Sequence, residues 1–311
     1  MRWKTCRMDA TEPRRRILST SEGVNRGEFS SVDWALFVGV AVIWGSSFLL
    51  MDIGLEAFEP GLITWLRVGL GATVLWMVPE ARRPVDAGDR GRLLALSILW
   101  VGIPFTFFPI AQQFVNSAIA GMLNGAMPIF AVAIAVALLR RWPRRLALFG
   151  LVIGLAGAIA ISAPSVGEGS SEALGVGLVV IAAVCYGLAV NIAAPLQQRY
   201  GALPVMARML ALATIWTAPF GVFGLTGSSF AWGPLVAIGV AGIVGTGTAF
   251  VLMASLVGRV GASRASFIAY GIPVVALVLG VAFRDDSVTA PAFVGIVLVI
   301  AGALMASRRD R

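Results

Sequence analysis

The residues of this chain with chemical reach are few, and they sit in apolar surroundings. Arg67 lies within LITWLRVG, seven residues beyond Pro60, with no other charge in that run. Burying a cation in hydrocarbon costs roughly 3 kcal/mol on insertion scales, so an arginine in such a run is a functional residue by default. A guanidinium placed there holds an anion or guards a path; the competing expectation is a side chain that snorkels to the headgroups. Asp52 or Glu56, in the acidic corner that precedes Pro60, is the expected counter-charge.

Uncharged polar groups form the second set. Ser46, Ser47, Thr64, Gln112, Gln113, Asn124, Asn191, Thr214, Thr246, Thr248, Ser266 and Tyr270 all fall in apolar runs, where they are costly unless paired or facing a wet cavity. Serine and threonine can satisfy themselves on the preceding turn of their own helix. Asn124, Asn191 and Gln112 are harder to hide, and serve either as glue between helices or as ligand contacts. Trp44, Trp100, Tyr186, Trp216 and Tyr270 could wall a ligand, whereas Trp65, Trp76 and Trp232 lie nearer run ends and read as interfacial anchors. The expected lining is Trp44, Ser47, Trp100, Asn124, Tyr186, Asn191 and Tyr270.

Some chemistry is absent from the sequence. There is no histidine, and no Asp or Glu falls in the centre of an apolar run, so neither a buried carboxylate proton relay nor a convergent acid–base site is expected. Cys6 and Cys185 support neither a disulfide framework nor a metal site. No GxxxxGK[ST] loop is present for nucleotide hydrolysis. An integral-membrane enzyme is therefore disfavoured, and no cofactor is expected. A receptor or assembly scaffold would more naturally carry a large extramembrane module, for which the loops are too short.

The elements that must position these residues follow from composition. Of 311 residues 58% are hydrophobic and 13% charged, against about 25% charged in soluble domains. The apolar runs are about 20 residues long, which indicates membrane helices rather than the shorter alternating strands of a barrel. Hydropathy places ten spans, near 33–52, 60–79, 92–113, 116–138, 144–163, 173–194, 204–225, 233–257, 261–283 and 289–306. With ten spans the arginines alternate cleanly: 21 basic residues fall on one side and only Arg284 on the other, with Arg67 and Arg208 inside spans. The positive-inside rule then puts both termini in the cytoplasm. The net charge of +8 reflects this orientation, so no nucleic-acid partner is expected. Residues 1–30, polar and without an apolar core, are expected to be a disordered cytoplasmic tail and not a cleaved signal.

A repeat organises the spans. SAIAGMLNGAMPIF and the segment after it align with ASRASFIAYGIPVV and its continuation at an offset of 145, matching Pro128 to Pro273, Gly150 to Gly295 and Gly157 to Gly302. Trp44-Gly45 corresponds to Tyr186-Gly187, and Arg67 to Arg208. Five spans per half is an odd number, so the halves, 31–165 and 172–307, enter the membrane from opposite sides. The fold class is an all-α integral membrane protein of ten transmembrane helices in two inverted five-helix repeats, an arrangement that favours alternating access. Pro128 and Pro273 break their helices in both halves and can free carbonyls or act as hinges. The glycine spacing of the fifth and tenth spans gives those helices a packing role, leaving eight to line a cavity. Arg67 and Arg208, each early in a helix and on opposed faces, are expected as a pair of gates, with Arg67 at the outer one.

The WGSSF segment, the Pro60–Arg67 stretch, the matched Pro128 and Pro273 segments and the order of the spans resemble EamA-type carriers of the drug/metabolite transporter superfamily, from about Asp33 to Ser307. The resemblance implies a plasma-membrane carrier, of the bacterial inner-membrane type, for small metabolites such as amino acids or related compounds, often an exporter and a monomer or homodimer in the lipid bilayer. Two departures stand out. Relatives often close the fourth and ninth spans with Gly-Glu, where this chain has Arg140-Arg141 and Asp285-Asp286, and Leu203-Pro204 lacks the acid of Glu59-Pro60.

Overall fold

The computed structural model describes residues 29–139, 145–168, 170–260, 265 and 267–307. All regular structure among them is helical, the form that satisfies every backbone polar group within its own segment. In chain order the helices are α1 (Ser31–Leu55), α2 (Pro60–Met77), α3 (Arg90–Leu96), α4 (Ile103–Ala111), α5 (Ser117–Asn124), α6 (Met127–Leu139), α7 (Arg145–Glu168), α8 (Ser170–Tyr200), α9 (Ala202–Gly224), α10 (Trp232–Gly242), α11 (Ala249–Val260), α12 (Ile268–Arg284) and α13 (Ala290–Ser307). Most of the expected tail, the Arg140-Arg141 pair and Ser266 lie outside the described residues.

Among the described residues, six helical segments are long and apolar enough to cross a membrane: Ser31–Leu55, Ala87–Ala111, Ser117–Ile134, Ser171–Tyr200, Ala202–Gly224 and Trp232–Val260. Shorter apolar stretches lie at Leu148–Ile161, Ile268–Arg284 and Ala290–Gly302. Large apolar side chains including Phe149, Ile159, Ile215, Phe223, Val278 and Phe293 are exposed on the outside. Water would penalise that surface by about 25 cal/mol per Å², and lipid would not.

Local chemistry sets the helix ends. Ser30 caps α1 reciprocally with Asp33: the Asp33 N–H donates to the Ser30 hydroxyl oxygen and the Ser30 N–H to the Asp33 carboxylate, the capping-box arrangement. Pro60 opens α2 at a position where a missing N–H costs nothing. Asn116 caps α5 by accepting from Ile119 N–H. Pro128 has no N–H for the Asn124 carbonyl, and the helix is interrupted between Asn124 and Met127.

Two widened π turns join otherwise continuous helices: Ser97–Gly102 links α3 to α4, and Ile243–Thr248 links α10 to α11. Pro104 cannot donate to the Trp100 carbonyl, which accounts for the loosened ladder in the first. In the second, the Thr246 and Thr248 hydroxyls donate to the carbonyls of Ala241 (3.1 Å) and Ile243 (3.0 Å), satisfying groups that a wide turn exposes. The two turns begin 146 residues apart, close to the repeat offset read from the sequence.

The closest helix pairing is α7 with α13. A side chain at Gly157 would meet the Gly295 carbonyl and one at Gly302 the Gly150 carbonyl, so glycine permits backbone contact there. These two helices stand aside as a packed pair, and the cavity lies among the others.

Candidate functional site

Arg67 sits on the second turn of α2 with its guanidinium against α1 and the second π turn. Nη2 donates to the Ser47 hydroxyl (3.2 Å), Nη1 lies 3.1 Å from the Met51 sulfur, and Nε donates to the Thr246 hydroxyl (3.2 Å). Each hydroxyl donates its own proton to a carbonyl of its helix, Ser47 to Ile43 and Thr246 to Ala241, and so turns a lone pair toward the arginine. The Phe105 ring covers the cation at 4.3 Å, a cation–π contact. Only 7% of the residue is exposed.

The expected counter-charge is elsewhere. Asp52 and Glu56 both pair with Arg284 at the end of α12, so neither neutralises Arg67. At the opposite end of α1, Asp33 pairs with Arg259 at 2.5 Å, while Asp86 and Asp89 pair with Arg199. Asp286 accepts from the Ser117 hydroxyl and the Ala118 N–H, capping α5 from across the chain. No ion pair to Arg67 is found among the described residues.

Arg67 lies in the wall of a cavity of about 290 Å³, near the lower end of the range for small-molecule sites. Its wall is drawn from both halves of the chain and is mostly aromatic, aliphatic and thioether. Aromatic contacts bridge the halves: Tyr186 stacks on Phe108 at 6.2 Å and Trp44 meets Phe250 edge-on at 5.9 Å. Asn124 adds an amide whose Oδ1 is buried with no hydrogen-bond partner among the described residues. No cluster of three or more metal-ligating side chains occurs among those residues.

Of the expected lining, the structure brings together Trp44, Ser47, Trp100, Asn124 and Tyr186 in this wall. Asn191 and Tyr270 are not part of it. The Asn191 amide N–H group donates to the carbonyls of Ala131 (3.1 Å) and Gly187 (2.8 Å), tying α8 to α6, and Tyr270 packs beside Phe267. Gln112 likewise binds a neighbouring helix, donating to the Phe48 carbonyl (2.8 Å). Arg67 stands in the cavity wall, not at an outer rim. Arg208 lies apart, donating to the carbonyls of Ala81 and Pro204 with Trp76 beside it. Pro128 lies at the start of α6, beside the break after Asn124, whereas Pro273 lies inside the continuous helix α12, so the break expected at Pro273 is not found there.

Sequence reading misses Met51, Phe105, Phe108, Phe250 and Met253, which also line the cavity, because such residues look alike on core, lipid and ligand faces. Thr246 is among the polar candidates but not in the expected lining. Its signal is the glycine-flanked pattern Gly245-Thr246-Gly247 at the place where the first half has Trp100.

The EamA-like transporter family matches residues 34–163 and again 173–308. An uncharacterized transporter of Archaeoglobus fulgidus is 23% identical over 279 residues, spanning 89% of this chain and 99% of its own. The uncharacterized transporter YoaV of Bacillus subtilis is 25% identical, over 86% of this chain and 94% of its own. A probable terminal-alkyne amino-acid exporter of Streptantibioticus cattleyicolor is 24% identical, over 91% and 95%. A protein of known crystal structure superposes with a TM-score of 0.60 at 19% identity, covering 90% of this chain and 97% of that one, a likeness of fold.

Proposed function

We infer from one premise, that the chain belongs to the EamA-like transporter family, that it carries a small metabolite across the bacterial inner membrane by alternating access, in the direction of export. The chain is a membrane transporter rather than an enzyme. The observation that carries the finer reading is a cavity walled by both halves with one buried, carboxylate-free guanidinium inside it. In our reading ten helices form two inverted repeats that rock about this cavity. The twofold match of one family and the recurrence of the π turn in each half support that arrangement.

Trp44, Ser47, Trp100, Asn124 and Tyr186 contact the substrate, and Arg67 holds its charge. The role expected from the sequence for Arg67, closing the outer side, passes to Arg284, which clamps α12 to the Asp52–Glu56 end of α1. Arg259 clamps the other end through Asp33. Opening to either side requires one clamp to part while the other holds. Residues assigned to one side by the arginine count are those found paired with each other, which supports cytoplasmic termini.

Small metabolites related to amino acids are the proposed cargo, in line with the name of the Streptantibioticus relative. The test is a metabolite screen of cells with and without the protein, followed by counterflow of the hits in liposomes. A carrier moves a labelled solute unchanged. Chemical conversion of the solute, or no movement of any hit by folded protein, would sink the proposal.

A further inference from the structure

We propose that the cargo is a singly charged organic anion with an apolar body, and that the site selects against zwitterions, neutral molecules and cations of the same shape. This rests on the transport reading above and names the substrate class of that cavity. Charge balance decides the class. Among the described residues, the cavity wall contains Arg67 and no Asp or Glu. The sequence has no acidic residue between Asp89 and Glu168 or between Glu172 and Asp285, and the acids on the lining helices α1 and α8 lie near the helix ends, at Asp33, Asp52 and Glu172. The carboxylates closest in sequence, Asp52 and Glu56, are committed to Arg284.

The guanidinium is therefore a buried cation held by two hydroxyls, a thioether and a ring, none of which carries charge. In low dielectric, removing a charge from water is recovered only by a well-placed opposite charge. A carboxylate supplies it, and the guanidinium N–H groups not used by Ser47, Met51 and Thr246 are available for a charge-assisted pair. A zwitterion brings an ammonium as well, leaving the site as unbalanced as before. Asn124 Oδ1, buried and without a partner among the described residues, is a dipole: it rewards a hydroxyl or amide N–H on the anion but does not neutralise an ammonium. The remaining wall of Trp44, Trp100, Phe105, Phe108 and Phe250 suits an aromatic or branched aliphatic body.

The test uses the full chain purified in detergent and a series with one body and four charges: 3-phenylpropionate, phenylalanine, 3-phenylpropanamide and phenethylamine. Binding is read by quenching of tryptophan fluorescence and, independently, by isothermal calorimetry. The expected order places 3-phenylpropionate first, at least ~10-fold tighter than phenylalanine or the amide, with phenethylamine weakest. Arg67→Lys, which keeps a cation, preserves the order; Arg67→Gln, checked for folding by size exclusion, abolishes it. Equal or tighter binding of phenylalanine overturns the proposal, as does an order that survives Arg67→Gln or the absence of saturable binding by the anion. The wild-type series alone decides the substrate class, so misfolding of either mutant does not affect the outcome. Binding in this order without counterflow in liposomes would refute the transport reading alone, and counterflow of some solute without anion binding would refute the substrate class alone.

Discussion

Asn124→Leu separates what the cavity costs from what it does. Asn124 Oδ1 is buried and unpartnered among the described residues, so the empty protein carries the desolvation of an amide oxygen without return, about 1–3 kcal/mol. Leucine branches at the same atom, and the cavity of about 290 Å³ beside it accepts the added bulk without overpacking. The substitution should therefore stabilise the unliganded protein by about 1–3 kcal/mol, and at ~2–4 °C per kcal/mol that is a rise of roughly 2–12 °C in the unfolding midpoint. The assay is thermal unfolding in detergent, by intrinsic fluorescence, with and without a solute found in the metabolite screen. The same variant should show a smaller ligand-induced shift, because the substrate has lost its polar partner. A lower midpoint for the empty variant would mean that Asn124 satisfies a structural need, and would refute the reasoning.

Arg284→Gln should destabilise by about 1–2 kcal/mol, between surface and buried pairs, since the Asp52 side chain is 19% exposed and Glu56 more so; adding Asp52→Asn should recover part of the loss in a double-mutant cycle. Gly157→Leu should sharply lower the yield of folded protein, because its side chain would meet the α13 backbone at Gly295; normal size-exclusion behaviour of the variant would contradict the packing role of α7 and α13. Asp286→Ala should cost about 0.5–2 kcal/mol by removing the acceptor for Ser117 and Ala118, and Asp286→Asn should cost less in the same unfolding assay.

The helices are legible in the sequence because their cause is local. Apolar runs, Ser30 before α1, Pro60 at the start of α2 and Asn116 before α5 each act within a few residues of the ends they set. The pairing of α7 with α13 is legible too, because glycine spacing is a direct statement about backbone approach. Partner choice is not. Asp52 lies nearer in sequence to Arg67 than to Arg284, yet the helical rotation of α1 turns Ser47 and Met51 toward Arg67 and Asp52 toward α12. A step of one residue on a helix moves a side chain by roughly 100°, and spacing alone does not say which face meets which neighbour. Asn191 departs from its expected place in the lining for the same reason: its amide is satisfied on carbonyls of α6 and its own helix. The asymmetry of Arg67 and Arg208 reflects their neighbours, since one is enclosed by Ser47, Met51 and Thr246 and the other rests on loop and helix-end carbonyls. The repeat gave both an arginine, and the surroundings gave them different work.

The role of that buried arginine is tested most directly by measuring counterflow against substrate concentration in liposomes containing Arg67→Gln, beside wild type, with folded protein verified in both. Loss of the charge partner predicts a half-saturating concentration raised at least ~10-fold, with equilibrium binding weakened in parallel. An unchanged half-saturating concentration with a lowered maximal rate would make Arg67 a gate after all, and would contradict a substrate site built on its guanidinium.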